Sequence, residues 1–149
     1  MRQSVGVWPA TPMRLHFTRI GERHVQKAKR KSAGLAPGQI VVADWRGDAL
    51  PKEPNKRRPA VVVEETDLFA PGYPNVILVP ITEDEDLAIP DLSVVIEPTN
   101  ENGCSKRCVV VSHLVATTSK ARIEPTASRI TSEELAEVRQ QIAMAIGLT

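Results

Sequence analysis

Apolar residues in this chain come in short blocks, each closed off by proline, glycine, asparagine or acidic residues. Structured sequence begins at the turn signal Pro37-Gly38, ahead of Gln39-Ile-Val-Val-Ala-Asp-Trp45, a β-branched run of strand length. Arg57-Arg-Pro-Ala-Val-Val-Val63 predicts a second strand, with its proline near the start, where a missing N–H is tolerated. Asn75-Val-Ile-Leu-Val-Pro-Ile-Thr82 predicts a third, residues 92–97 a fourth and Arg107-Cys-Val-Val-Val111 a fifth. Residues 46–56, between the first two, hold a glycine, two prolines and mixed charge. That is a loop, longer than a hairpin needs, and such loops in compact domains tend to carry function. Residues 120–128 read ambiguously, as a short strand followed by a turn.

The period changes after residue 130. Thr131-Ser-Glu-Glu134 has the spacing of a capping box, in which hydroxyl and carboxylate each satisfy a backbone N–H of the first helical turn. Leu135, Val138, Ile142 and Ile146 then recur at helical spacing and draw one apolar stripe, and Gly147 supplies a left-handed stop. Five short strands and one amphipathic terminal helix predict a mainly β protein, a small barrel whose open side the helix plugs. No internal repeat is apparent.

Composition narrows this further. The 149 residues suit one domain, and 42% apolar with 25% charged residues is ordinary for a soluble globular protein. Aromatics make up only 3%, so the core must rest on Val, Ile, Leu and Ala. No apolar run approaches the roughly 18–20 residues of a membrane span, and no secretory h-region opens the chain, so a cytoplasmic protein without membrane contact is expected. The net charge of +1 conceals an asymmetry: residues 1–34 hold eight basic side chains against Glu22, while the remainder holds eleven basic and seventeen acidic ones. Residues 1–34 are therefore expected to be a basic, disordered extension ahead of a domain at 35–149. Such an arm suits nucleic acid or an anionic surface, or is a leader with Met13 as a later start. Cys104, Cys108 and His113 form C-x3-C-x4-H, which matches no common zinc module, so the cysteines are expected to be thiols and no metal or cofactor is expected. The Glu83-Asp-Glu-Asp86 run is too polar to be buried and reads as a solvated loop or a contact for a basic partner.

Three segments carry a likeness. Gly38-Gln-Ile-Val-Val-Ala-Asp-Trp45, Arg57-Arg-Pro-Ala-Val-Val-Val63 and Val76-Ile-Leu-Val-Pro-Ile-Thr82 resemble, in order and spacing, the opening strands of the MazF/PemK family of toxin–antitoxin ribonucleases. The close, from Ile130-Thr-Ser-Glu-Glu-Leu135 to Ala145-Ile-Gly-Leu148, is similar to the family's last helix. The resemblance spans about residues 37–148. It implies an SH3-like barrel of the CcdB/MazF type and the toxin component of a type II toxin–antitoxin system. The implied activity is a metal-independent endoribonuclease that cuts single-stranded RNA, leaving 2′,3′-cyclic phosphate and 5′-OH ends. It also implies a homodimer with RNA across the dimer groove, and a cognate antitoxin whose acidic tail occupies that groove.

Such chemistry needs a proton acceptor, a donor for the leaving oxygen, and cationic or hydroxyl donors for a phosphorane. Arg58 lines up with the family's catalytic arginine, and its forked guanidinium suits a phosphate whose charge grows in the transition state. Thr82 lines up with the threonine that hydrogen-bonds the scissile phosphate. Lys56 and Arg57 are expected to hold RNA backbone by charge, although Arg57 and Arg58, as neighbours in a strand, face opposite sides and cannot both point equally into one pocket. After the fifth strand the family commonly has an acidic residue, then Gln, then Arg two positions beyond. Here those positions hold Ser112, His113 and Val115. His113 offers a replacement proton acceptor or donor, since an imidazole titrates near neutrality, and Ser112 beside it is expected to contact RNA. The missing carboxylate and arginine also fit an alternative: a non-catalytic protein of this fold, poisoning gyrase as CcdB-like toxins do, or retaining only antitoxin or DNA binding.

Overall fold

A computed structural model describes residues 35–46 and 57–148. The basic arm at 1–34, most of the loop at 46–56 and Lys56 within it lie outside the described residues. Among the described residues seven strands and one helix follow in order: β1 Gln39–Asp44, β2 Arg57–Val62, β3 Asn75–Thr82, β4 Ser93–Ile96, β5 Cys108–Val111, β6 Ala116–Ser119, β7 Ile123–Arg129 and α1 Ser132–Ala145. All pairings are antiparallel, in the order β4-β5-β3-β2-β1-β7, with β6 also on β3. The first half of β3 pairs with β6 and its end with β5, so β3 is the strand about which the sheet folds over. The sheet is not closed: its path ends in edges at β4 and β7. Residues 66–73 belong to a different unit from the sheet and helix and hold a 3-10 turn at Thr66–Leu68 followed by the Phe69 and Tyr73 rings, 5.4 Å apart.

The sheet has two apolar faces, which explains why its inner strands read as continuous apolar runs instead of alternating. Ile40, Val61, Val79, Ile81, Val94 and Val110 lie in the larger cluster, and α1 adds Leu135 and Val138 to it. Val41, Ala43, Ala60, Val62, Val76 and Leu78 form the smaller cluster, each wholly buried. Each buried valine or leucine is worth about 1.5–3 kcal/mol relative to exposure, so the small side chains suffice by number.

Two strands differ from the sequence expectation. β6, Ala-Thr-Thr-Ser, carries no apolar block because two of its four residues are exposed, and it exists because β3 offers it an edge. Thr118 within it is buried and accepts a hydrogen bond from Trp45 Nε1 at 3.1 Å. The ambiguous segment is the strand β7; its Pro125 is accommodated on an edge strand, and Thr126 Oγ1 donates to the Ile40 carbonyl of β1.

The helix keeps its capping box, with Glu134 N–H donating to Thr131 Oγ1 at 3.0 Å and Thr131 N–H donating to Glu134 Oε1 at 2.9 Å. Gly147 has a φ of 82° and closes a Schellman motif, its own N–H reaching Met144 and the Leu148 N–H reaching Ala143. The apolar stripe stops earlier than expected. Ile146 is 64% exposed, whereas Gln141 is buried, with Ser112 Oγ donating to its Oε1 at 2.7 Å and its Nε2 donating to the Ser93 carbonyl at 3.1 Å.

Candidate active site

The pairing of β2 with β3 sets the geometry. Ala60 faces Pro80, Val61 faces Val79 and Val62 faces Leu78, and the same register continued two residues puts position 58 across from position 82. Directly opposed residues on one face of an antiparallel pair stand about 4.5–5.5 Å apart at Cβ. Arg58 and Thr82 both line a cleft of about 570 Å³ at these strand ends, with Pro59, Ile81 and Cys108 contributing its apolar wall.

Thr82 is 8% exposed, and its Oγ1 accepts the Asp84 N–H at 3.0 Å. The hydroxyl proton is therefore left to donate. Arg58 is half-buried, and its Nε is buried with no hydrogen-bond partner among the described residues. Burial pulls its pKa below the ordinary arginine value while the nearby Asp84 carboxylate opposes the shift. A guanidinium nevertheless stays charged, and an unpartnered buried donor carries a desolvation penalty that an incoming acceptor would relieve.

The remaining charge in the cleft comes from Arg57, Lys106, Glu83 and Asp84. Lys106 Nζ pairs with Glu83 at 3.0 Å, linking the turn before β5 to the end of β3. Arg57 is exposed and paired with Glu124 of β7. Arg57 also borders a second cleft of about 510 Å³ between β1 and β7, with Asp44, Arg46, Arg122 and Glu124. There the Arg46 fork, at 2.8 and 2.6 Å, holds the Asp44 carboxyl well below the usual carboxylate range.

Of the residues singled out from sequence, the cleft thus brings together Arg57, Arg58 and Thr82. Lys56 lies outside the described residues. His113 sits half-buried in the 3-10 turn Ser112–Leu114, its Nδ1 buried without a hydrogen-bond partner among the described residues, and it is not part of the cleft lining. Ser112 is wholly buried with its hydroxyl committed to Gln141, so it offers RNA no surface. Glu83, Asp84 and Lys106 are site residues that sequence reasoning missed. Glu83 and Asp84 are exposed, as the acidic run suggested, but they wall the cleft instead of standing apart from it. Their one signal in sequence was adjacency to Thr82. Lys106 had none, because the register Thr82↔Val109 is what brings the β5 end alongside.

Cys104 and Cys108 are free thiols, and burial together with the neighbouring Cys108 pushes Cys104 up to about 11. Among the described residues no three His, Cys, Asp or Glu side chains gather as a metal site. No helix among them is long and apolar enough to cross a membrane.

A small, open β-barrel with one terminal helix, bearing at its strand ends a cleft of mixed charge with an arginine and a hydroxyl donor, has the SH3-like fold expected from the sequence. Within that class the chain belongs to the PemK-like, MazF-like toxins of type II toxin–antitoxin systems, whose family model matches residues 36–146. The fold is similar to that of MazF from Deinococcus radiodurans, with a TM-score of 0.63 at 21% identity over 76% of this chain and 97% of that one. It is also similar to an endoribonuclease in complex with its cognate antitoxin from Mycobacterial species, with a TM-score of 0.58 at 16% identity over 77% and 97% of the two chains. The Mycobacterium tuberculosis toxin MazF-mt6 aligns with a TM-score of 0.56 at 18% identity over 74% and 98%. No curated protein sequence matches the chain.

Proposed function

We propose that this chain is a metal-independent endoribonuclease that cleaves single-stranded RNA to 2′,3′-cyclic phosphate and 5′-OH ends. The observation that carries the reading is an arginine with an unpartnered, buried Nε in one cleft with a threonine hydroxyl whose proton is available. A phosphate between them gains two kinds of donor. Both strengthen as the phosphorane acquires its extra charge, which is the condition for lowering a barrier instead of merely binding substrate. Arg57, bordering this cleft and the next, is suited to hold the RNA backbone on either side of the scissile phosphate, with Lys56 adjoining it in sequence.

The same reading includes a cytoplasmic site of action, a homodimer, and a cognate antitoxin that covers the cleft. The antitoxin is supported by the Mycobacterial endoribonuclease of this fold, which is held in complex with its own. The test is incubation of the purified chain with a pool of single-stranded RNA oligonucleotides covering all pentamers, in EDTA, with the ends mapped. Cleavage to cyclic phosphate ends, reduced about 10²-fold or more in Arg58→Ala, is expected. An intact RNA pool at micromolar protein would overturn the reading in favour of a binding protein.

A further inference from the structure

The proposed reaction needs a proton acceptor for the 2′-OH, and neither sequence candidate after β5 supplies one: the carboxylate is absent and His113 is not in the cleft lining. Five charged side chains among the described residues of the cleft remain to be considered. Arg57, Arg58 and Lys106 are cations and cannot accept. Glu83 is held by Lys106 at 3.0 Å. Among the described residues of the cleft Asp84 is the remaining carboxylate, and three observations fix where it stands. Its backbone N–H donates to Thr82 Oγ1 at 3.0 Å, tying it to the hydroxyl that would hold the phosphate. Its Oδ1 accepts the Asp86 N–H at 3.0 Å, capping the 3-10 turn Glu85–Leu87. Its Oδ2 accepts no hydrogen bond among the described residues. The carboxylate also lies near enough to Arg58 to act on its charge. One oxygen of Asp84 therefore anchors the side chain and the other is free to accept.

We infer that Asp84 is the general base of the cleavage reaction, an inference that rests on the endoribonuclease reading above. In the step it serves, the O2′ proton passes to Asp84 while O2′ forms its bond to phosphorus. The P–O5′ bond breaks, O5′ takes a proton from water, and Asp84 returns its proton to solvent, so that the cyclic phosphate and the 5′-OH account for every atom. Arg58 and Thr82 hold the phosphate throughout.

The test uses the full chain and the same RNA pool under single turnover, comparing wild type with Asp84→Asn, Asp84→Ala, Arg58→Ala and His113→Gln across pH. Asn retains an oxygen for the Asp86 N–H, so Asp84→Asn keeps the cap and folds. Its cleavage rate is expected to fall about 10²-fold or more with RNA affinity no weaker than wild type. Wild-type cleavage is expected to fall on acidification, and that acid limb is expected to be missing from Asp84→Asn. Formate added to Asp84→Ala should restore part of the rate, which a merely structural role would not allow. Wild-type rate and profile in Asp84→Asn, or an acid limb lost in His113→Gln alone, would overturn the inference and leave the endoribonuclease reading intact. A wild type that cleaves nothing, like Arg58→Ala, would overturn both.

Discussion

Single residues in this protein carry different burdens according to what surrounds them. Arg58 holds a charge in a half-buried position with an unpartnered Nε, a stability cost of the sort that functional clefts accumulate. Ser112 has the opposite character. Its Oγ donates to Gln141 Oε1 at 2.7 Å in a wholly buried setting, and Gln141 in turn donates to the Ser93 carbonyl, so the three groups pin α1 to β4. Ser112→Ala leaves the Gln141 acceptor unsatisfied inside the protein and should lower stability by about 1–3 kcal/mol in urea unfolding. RNA affinity at fixed folded fraction should not change, because that hydroxyl has no exposed surface. Asn102 is comparable: buried, it accepts from the Thr99 and Cys104 N–H groups and donates to the Glu97 carbonyl, shaping the turn between β4 and β5.

At the scale of elements, local signals sufficed where an element carries its own chemistry. The helix start was legible because Thr131 and Glu134 form a reciprocal pair that needs no tertiary partner. Thr131→Ala should lower the melting temperature, the cap being worth about 1 kcal/mol, and differential scanning calorimetry would measure it. The helix end was legible from Gly147, but the buried face was not. Spacing alone favours Ile146, whereas α1 turns Gln141 inward because Ser112 and Ser93 wait for it there. Strand β6 was illegible for a related reason. Its sequence is polar, and only the free edge of β3 recruits it. The acidic run after β3 is exposed, as its polarity predicts, yet polarity alone does not say which surface it borders.

The molecule as a whole ties its sheet to its helix through Glu64, Glu65 and Arg139. Arg139 donates to the Val63 and Glu64 carbonyls at 2.9 and 3.1 Å and lies 3.8 Å from the Glu65 carboxylate. The Glu64 carboxylate is buried and accepts the Ile77 N–H of β3 at 3.1 Å. Burial raises its pKa above the ordinary 4.5, against the lowering effect of that N–H and of Lys120. The folded chain thus holds this proton more tightly than the unfolded chain does. Its contribution is present below 4.5 and is lost as pH rises through the folded-state value. Glu64→Gln keeps an acceptor for Ile77 and should flatten that part of the stability profile, raising stability at neutral pH relative to wild type. Urea unfolding of both proteins from pH 4 to pH 8 measures it, and parallel profiles would contradict the argument.

The sequence by itself determined the local conformations: where β-branched blocks make strands, where Thr131 opens the helix and where Gly147 closes it. It did so because backbone preference and capping act over a few residues. Only the tertiary structure decided which side chains share a cleft. Arg58 stands opposite Thr82, and Asp84 and Lys106 join them while His113 does not, because the register of β3 against β2 and β5 aligns those positions. That constraint links residues distant in the chain, and no short segment contains it.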